Sequence, residues 1–359
     1  MITPPRSPSS PSSSDEPRVA GRCLQRLAPL ALVLLALASP AAAQFSRVKE
    51  IPAENVFCVD VDGDVIAAGA ATAVFVSSDG GTTWRRSAPL APAVALVQAV
   101  RLHQGRLFAG TAGQGVFVSA DLGATWSPFN QGLTGGILNT QLDVSSLEVA
   151  GNSLLAGTLG AGVYMRRLTT TGSWTHFGDV FEPEQASNIN AVVLGGTRVL
   201  AAGGSNGEVF LRDSGDADWR PSGLGPDGFL PGLQAQSACW TGHGWVVGTS
   251  LGLFLSATGE EPWTLSSLGV LRVRSAALAM RGPTLFAAFN LPGGTVILSS
   301  PDEGQSWRFV AAEAGAFVFA LAAHDHELYA ARADGLWHSR SHAIAAPVAQ
   351  PAPSVPVTF

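Results

Sequence analysis

The sequence has few of the residues that would narrow its function directly. Its 359 residues include three cysteines, two tyrosines and one lysine. So few cysteines exclude a disulfide-stapled scaffold, and no pair of them has the spacing of a metal site. A formal charge of −6 without any basic run argues against a protein that binds nucleic acids or anionic membranes.

The first 43 residues differ in composition from the rest of the chain. Residues 1–17 are rich in Pro and Ser and can bury little apolar surface, so we expect disorder there. Arg18, Arg22 and Arg26 then precede an apolar run at 27–38, which leads to an A-x-A pattern ending at Ala43. These features predict a signal peptide cleaved after Ala43, and hence a secreted or periplasmic protein.

A membrane anchor is the alternative for the apolar run. The stretch 27–43 has only 17 residues and contains Pro29 and Pro40, whereas a spanning helix needs about 20 apolar residues. Cleavage is therefore favoured. The native start stays open between Met1 and Val19, because a start at Val19 would leave a signal peptide of ordinary length.

Removal of the leader changes the charge and the cysteine count. The leader carries four Arg against Asp15 and Glu16, so its loss shifts the formal charge from −6 to −8. Cys58 and Cys239 remain, in apolar segments that lie far apart in the chain. We predict two buried free thiols. After Ala43 no apolar stretch is long enough to span a bilayer.

An eight-residue motif, Ser-x-Asp-x-Gly-x-Thr/Ser-Trp, occurs three times. Its Ser and Asp side chains can accept hydrogen bonds from the N–H groups of a turn, and its Gly can adopt a positive φ. Its Trp provides a large apolar anchor for the strand that follows. The motif residues are Ser77, Asp79, Gly81, Thr83 and Trp84; Ser119, Asp121, Gly123, Thr125 and Trp126; and Ser300, Asp302, Gly304, Ser306 and Trp307.

The motif belongs to a longer repeat. Weaker copies keep only the Trp. The tryptophans of the six copies are spaced by 42, 48, 45, 44 and 44 residues: Trp84, Trp126, Trp174, Trp219, Trp263 and Trp307. Three apolar, strand-like runs separated by Gly-containing turns precede each of these tryptophans. Four strands in roughly 40 to 45 residues are typical of one blade of a β-propeller.

A seventh copy, around Trp337, lacks its fourth strand. Residues 45–52 are similar to the outer strands that follow Trp84 and Trp307. We predict that they complete the last blade and close the ring, which removes an exposed sheet edge. The expected fold is thus all-β, a seven-bladed β-propeller over residues 45–340. A six-bladed ring is the alternative, and residues 341–359 are predicted to be a disordered Ala/Pro-rich tail.

The octet resembles the Asp-box, or BNR repeat, of secreted bacterial β-propeller proteins. Related propellers are those of sialidases, xyloglucanases, photosystem II stability/assembly factors and sortilin-type receptors. The resemblance covers nearly the whole mature chain and implies that the octets are structural hairpins, not sugar or metal ligands. Because propellers share an architecture without sharing a function, it implies little about activity.

Sialidase chemistry is disfavoured by the residues present. By resemblance it needs three arginines, a Tyr nucleophile supported by a Glu, and an Asp acid/base. Arg47 is followed by Val-Lys-Glu-Ile-Pro, not directly by Ile-Pro, which does not match the first arginine motif. Tyr164 and Tyr329 occupy repeat positions where other units have Phe, Leu or Val, so we expect both to pack in the core.

A glycosidase with paired carboxylates is harder to exclude, because two suitably separated carboxylates would suffice. Glu182, Glu184 and Asp227 are the leading candidates, although solvated loop charges are the more ordinary interpretation. Further loop carboxylates are Asp143, Glu260, Glu313 and Asp334.

Two other patterns resemble metal sites but fall at predicted hairpin turns. They are Asp60-Val-Asp62-Gly-Asp64, which lacks the downstream Glu of a calcium loop, and His324-Asp-His326. No Ser-His-Asp arrangement and no phosphate-binding glycine loop is recognisable in the sequence. We therefore expect neither a metal nor a cofactor.

The leading functional prediction is a monomeric, non-catalytic extracytoplasmic scaffold that binds a protein or glycan on one ring face, because no catalytic set is recognisable in the sequence. The long blade-joining loops at 127–143, 175–188 and 220–236 are the expected contacts. The alternative is a secreted glycoside hydrolase of the Asp-box propeller type.

Overall fold

The computed structural model describes residues 45–91, 96–133, 137–169, 171–178, 188–203, 208–225, 233–269, 275–315, 317–324 and 327–340. These residues form seven antiparallel sheets of four strands each. The one helical segment among them is a short 3-10 helix, Ile137–Leu142. The predicted seven-bladed, all-β architecture is confirmed, and the six-bladed alternative is wrong.

The first four blades follow one another along the chain after a short opening strand, β1 (Ser46–Arg47). Blade 1 contains β2 (Val56–Asp62), β3 (Val65–Ala70), β4 (Val74–Ser77) and β5 (Arg85–Arg86). Blade 2 contains β6 (Val97–His103), β7 (Arg106–Thr111), β8 (Gly115–Ser119) and β9 (Ser127–Pro128). Blade 3 contains β10 (Val144–Ala150), β11 (Ser153–Thr158), β12 (Val163–Arg167) and β13 (Thr175–His176). Blade 4 contains β14 (Ile189–Gly195), β15 (Arg198–Gly203), β16 (Val209–Asp213) and β17 (Arg220–Pro221).

The remaining three blades include the one that joins the two ends of the ring. Blade 5 contains β18 (Ala235–Trp240), β19 (Trp245–Thr249), β20 (Gly252–Ser256) and β21 (Thr264–Leu265). Blade 6 contains β22 (Ser275–Arg281), β23 (Thr284–Leu291), β24 (Gly294–Ser300) and β25 (Arg308–Ala314). Blade 7 contains β26 (Val318–His324), β27 (Glu327–Arg332), β28 (Gly335–Arg340) and, as its fourth strand, β1.

The closing strand joins the chain's first described residues to its last. β1 pairs with β28 in antiparallel register, with Ser46 opposite His338 and Arg47 opposite Trp337. The residues around it anchor the segment, because Val48 and Ile51 are buried in the core between blades 7 and 1. The prediction that this segment supplies the missing strand is confirmed.

The second strand of each blade packs on both of its faces, and this explains its small residues. In β3 every residue after Val65 is buried. A Cβ on Gly69 would lie 2.5 Å from the sulfur of Cys58 and 2.7 Å from a methyl of Val97 in the next blade. The small residues that end these runs therefore allow neighbouring blades to approach closely.

The first strands form a closed ring around a central channel. Each contacts the first strands of both neighbouring blades, and β26 contacts β2. All first strands begin where the blade-joining segments end, on what we call the entry face. The turns between first and second strands and between third and fourth strands lie on the opposite face, which we call the octet face. There the octet turn of blade 1 meets the first hairpin turn, with Gly80 N donating to Asp64 O at 2.9 Å.

Several sequence predictions concern residues outside this description, namely the leader at 1–43, the tail at 341–359, Glu182, Glu184, Asp227 and His326. In the described part of the chain, no helix is both long enough and apolar enough to cross a bilayer. Cys58 and Cys239 are free thiols as predicted, but only Cys58 is buried and Cys239 is half-buried. Burial raises the pKa of both, that of Cys239 to about 12.

Candidate functional site

The octet turns are held by the side chains that the motif repeats. In blade 1 the Ser77 hydroxyl donates to Asp79 Oδ1 at 2.8 Å and accepts from Gly81 N at 2.8 Å. Asp79 Oδ1 also accepts from Thr83 N at 2.8 Å. Gly81 has φ of 89°, a conformation that disfavours residues with a Cβ. These contacts occupy the polar atoms of the motif within the turn itself.

The same bonds recur in the other two octets, with matching effects on acidity. Asp121 accepts from Ser119 and Thr125, and Asp302 accepts from Ser300 and Ser306. Hydrogen bonds from Thr83 lower the pKa of Asp79 to about 2, and those from Thr125 do the same for Asp121. The three carboxylates are ionised turn acceptors at neutral pH.

The described loop carboxylates are bound to neighbouring protein groups. Asp143 accepts from Gln98 Nε2 at 2.8 Å. Glu260 lies 2.8 Å from the guanidinium of Arg220, in a network that joins blades 4 and 5. Glu313 and Asp334 both lie within 3.5 Å of Arg332.

The two tyrosines and the two metal-like patterns also have structural surroundings. Tyr164 and Tyr329 are buried. Asp62 and Asp64 flank Gly63 in the turn between β2 and β3, and His324 Nε2 lies 3.6 Å from Asp64 Oδ1. Across the described residues, no group of three or more His, Cys, Asp or Glu side chains is placed to hold a metal ion.

A charged triad from three consecutive blades lies among the first strands. Arg101 in β6 approaches Asp60 in β2 at 3.6 Å and Glu148 in β10 at 2.8 Å. Leu102 N also donates to Asp60 Oδ2 at 2.7 Å. The equivalent first-strand positions of blades 4 to 7 are uncharged: Val193, Cys239, Ala279 and Ala322. At this position of the first strands, charged residues thus occur only in blades 1, 2 and 3.

Both carboxyl groups of the triad are weaker acids than usual. Burial raises the pKa of Glu148 to about 7, against the attraction of Arg101. Burial also raises the pKa of Asp60, which Arg101 and the Leu102 N–H oppose. One arginine shared by two buried carboxyl groups does not compensate for their desolvation.

An aromatic cluster on the entry face distinguishes blades 7 and 1 from the others. We use this name for Phe57, Phe317 and Phe319. The rings of Phe57 and Phe317 each lie 5.2 Å from that of Phe319, between centroids. Phe319 is 37% exposed and is the exposed large hydrophobic residue among those described.

Phe57 and Phe319 occupy a repeated structural position, the extra residue of a β-bulge near the start of the first strand. In blades 2 to 4 this position is polar and its side chain bonds to the next blade. Gln98 donates to Asp143 as described, Ser145 Oγ donates to Ile189 O, and Asn190 Nδ2 donates to Ala235 O at 2.8 Å. A phenylalanine side chain cannot make such a bond, so an apolar surface replaces an inter-blade contact.

Neither the triad nor the aromatic cluster was predicted from the sequence. Asp60 belongs there to a metal-like pattern, and Arg101, Glu148 and the three phenylalanines belong to no motif. The second residue of each first-strand run carries the available signal, since it is polar in Gln98, Ser145, Asn190 and Gln236 but aromatic in Phe57 and Phe319.

Comparison with known proteins supports the fold and leaves the family open. No family model and no curated protein matches the sequence. Solved propellers do match. An extracellular domain of a one-component system from B. thetaiotaomicron aligns with 82% of the chain at 14% identity and a TM-score of 0.63. The chain spans 40% of the length of that protein.

Two further structures show the functional range of similar propellers. YCF48 bound to D1 peptide matches 84% of this chain and 99% of its own at 16% identity, with a TM-score of 0.63. The GH74 xyloglucanase from Xanthomonas campestris matches 85% of this chain and 55% of its own at 15% identity, with a TM-score of 0.57. The class defined by these likenesses is the β-propeller, and identities this low carry the fold alone.

Proposed function

We propose that this chain is an extracytoplasmic propeller that binds a protein segment through the aromatic cluster on its entry face. The exposure of Phe319 carries the proposal, because the equivalent residues of blades 2 to 4 are polar and bonded to their neighbours. Exposed aromatic residues are enriched where proteins bind partners.

The geometry of the cluster favours an apolar protein side chain over a sugar. The ring planes of Phe57 and Phe317 are tilted from that of Phe319 by 44° and 49°. Such a cluster has no broad flat platform on which a sugar ring would lie, whereas an aliphatic or aromatic side chain can fit between tilted rings. YCF48, a propeller of similar fold, is bound to a D1 peptide in its solved structure.

The predicted contact loops 127–143, 175–188 and 220–236 lead into the first strands of blades 3, 4 and 5. The described residues directly before β10, β14 and β18 therefore lie on the entry face, as the aromatic cluster does. The described parts of these loops include the 3-10 helix before β10. We expect these loops to add specificity, because loops on a rigid scaffold are the usual binding elements of propellers.

Selection from a random peptide library on the purified chain tests this proposal. We expect enriched peptides to contain apolar residues and to bind at least 10-fold more weakly to Phe319→Ser and to Phe57→Ser. Gln305→Ala, an exposed change in an octet turn on the opposite face, is the matched control and should bind as the unsubstituted chain does.

Two results would contradict the proposal. One is peptide affinity that is unchanged in both phenylalanine variants. The other is that the selection yields no apolar peptides, while on a glycan array the unsubstituted chain binds a glycan that Phe319→Ser does not bind. Unfolding midpoints of the variants, measured alongside, separate lost binding from lost folding.

A glycoside hydrolase is the second candidate. It is favoured by the likeness to two propellers named as GH74 enzymes. The candidate carboxylates Glu182, Glu184 and Asp227 belong to blade-joining loops. Release of new reducing ends from plant and bacterial polysaccharides by the purified chain, abolished by Glu182→Gln, Glu184→Gln or Asp227→Asn, would support this activity. A negative result across the panel leaves protein binding as the function.

We further propose that the chain is a secreted, monomeric Asp-box repeat protein. The bonds within its three octets support the repeat type, and the leader together with the likeness to an extracellular domain supports export. The N-terminal sequence of the exported protein should begin at Gln44. An exported protein that retains residues 1–43 would contradict cleavage.

A further inference from the structure

A cavity of about 520 Å³ lies where the closing strand meets the octet turn of blade 1. Its lining includes Ser46 of β1, Glu327 of β27, His338 of β28 and Gly81 of the octet. A volume of this size is within the range of small-molecule sites. The cavity lies toward the octet face, so it is separate from the aromatic cluster and independent of the function proposed above.

Three of the lining side chains are hydrogen-bonded in series. Ser46 Oγ lies 3.2 Å from His338 Nε2. His338 Nδ1 lies 3.4 Å from Glu327 Oε2. Because an ionised carboxylate can only accept, we assign the ring proton to Nδ1, which leaves the lone pair of Nε2 to accept from the Ser46 hydroxyl. This tautomer allows histidine to act as a general base toward serine.

Tyr329 holds both the carboxylate and the imidazole in place. Its hydroxyl donates to Glu327 Oε2 at 2.7 Å. Its ring stacks on that of His338, with centroids 5.9 Å apart and planes 15° from parallel. Tyr329 is fully buried, whereas Ser46 is exposed. The imidazole of His338 therefore packs against a buried side chain, whereas the hydroxyl of Ser46 is accessible to solvent.

The arrangement is specific to the last blade. Ser127 occupies in blade 2 the position that Ser46 occupies in blade 7, but its cross-strand partner is Val118. In blades 1 to 5 the positions equivalent to His338 are all apolar: Val76, Val118, Met165, Leu211 and Leu255. The general packing of a blade therefore does not require a histidine at this position.

We propose that Ser46, His338 and Glu327 form a nucleophile, a general base and an orienting carboxylate that hydrolyse esters of short carboxylic acids. Ser46 Oγ bonds to the ester carbonyl carbon while His338 Nε2 takes the hydroxyl proton. The bond from that carbon to the alcohol oxygen then breaks, and the alcohol leaves with the proton from Nε2.

Water completes the cycle. His338 Nε2 removes a proton from a water molecule while the water oxygen bonds to the acyl carbon. The bond between the acyl carbon and Ser46 Oγ then breaks. The carboxylic acid leaves, and the proton returns from Nε2 to Ser46. Arg47 and Lys49 also line the cavity, together with Glu50. Positive charge near the ester favours the negative oxygen that forms during each addition.

A fluorophosphonate probe, which bonds to activated serine hydroxyls, tests the proposal on the purified chain. We expect labelling at Ser46 in the folded protein and none after heat unfolding. Ser46→Ala and His338→Asn should abolish labelling and lower hydrolysis of p-nitrophenyl acetate by about 100-fold or more. Ser214→Ala, a change of an exposed serine in the turn between β16 and β17, is the control and should change neither.

Glu327 is a positioning residue, because it acts on the ester only through His338. Glu327→Gln should slow labelling without shifting the unfolding midpoint, and Glu327→Asp should restore part of the rate. The proposal is overturned if the folded chain is not labelled, or if labelling and hydrolysis persist in Ser46→Ala. Because Ser46 is exposed, that variant decides the matter even if His338→Asn fails to fold.

Discussion

Glu148 accepts a 2.8 Å hydrogen bond from Arg101 across the boundary between blades 3 and 2. Arg101 also lies 3.6 Å from Asp60 of blade 1, so a single cation links three blades beside the channel. Two carboxyl groups share its charge, and burial keeps the pKa of both above the usual range. Protonation of the triad is therefore coupled to the stability of the ring.

The pH dependence of stability should reveal this coupling. The pKa of Glu148 is raised from 4.5 to about 7, so the folded chain binds this proton more tightly than the unfolded chain does. The resulting stabilisation is complete below about pH 4.5 and is lost as the pH rises through 7. We expect Glu148→Gln to remove this loss, worth on the order of 3 kcal/mol, and to be more stable than the unsubstituted chain at pH 8.

Urea unfolding between pH 4 and pH 8 measures this difference. Glu50→Gln, an exposed change outside the triad, is the control and should keep the original pH dependence. Parallel curves for Glu148→Gln and the unsubstituted chain would show that the carboxyl group does not carry the effect.

The stability contributed by the octets should depend on pH in the opposite sense to that of Glu148, because it is lost at low pH. Hydrogen bonds from Thr125 lower the pKa of Asp121 from 3.8 to about 2. The stabilisation from its ionised form is present above about pH 4 and is lost as the pH falls through 2. Asp121→Asn removes an acceptor of the Thr125 hydroxyl bond, so its melting temperature should be lower by a few degrees at pH 7.

Thermal unfolding at pH 7 and at pH 2 checks this prediction. The difference between Asp121→Asn and the unsubstituted chain should shrink toward pH 2, where Asp121 itself becomes protonated. A difference of the same size at both values would mean that the substitution disturbs the turn through its shape and not through its charge.

Closure of the ring should depend on the buried residues beside β1. Ile51 is fully buried in the core between blades 7 and 1. Truncation of such a residue removes apolar contacts and leaves a cavity, so Ile51→Ala should lower the free energy of unfolding by about 2–5 kcal/mol.

Urea unfolding compares this variant with its exposed neighbour. Glu50→Ala changes the preceding residue, which is exposed, and is expected to alter stability by less than about 0.5 kcal/mol. Equal midpoints for Ile51→Ala and Glu50→Ala would mean that the closing segment adds little to the stability of the propeller.

Much of the fold could be predicted because its signals are local. The octet residues from Ser77 to Trp84 make their hydrogen bonds within one turn, so eight consecutive letters are enough to indicate that turn. The spacing of the tryptophans then counts the blades. Even the closing strand was predictable, since residues 45–52 resemble the other outer strands.

The two candidate sites could not be predicted in this way. Ser46 and His338 are 292 residues apart, and neither belongs to a motif. Phe57 and Phe319 become neighbours only because blade 7 meets blade 1. The absence of a recognisable Ser-His-acid pattern in the sequence therefore did not exclude a Ser-His-Glu array in the folded chain.

The repeated unit, the number of blades and the strand that closes the ring could all be inferred from the order of the residues. These features follow from strand periodicity and turn chemistry, which act between residues close in the chain. The tertiary structure alone decided which side chains meet: the triad of Asp60, Arg101 and Glu148, the aromatic cluster, and the hydrogen-bonded series at Ser46. Ring closure brings together residues from different blades. A repeat pattern shows only what the blades have in common, so it does not predict contacts between individual side chains of two particular blades.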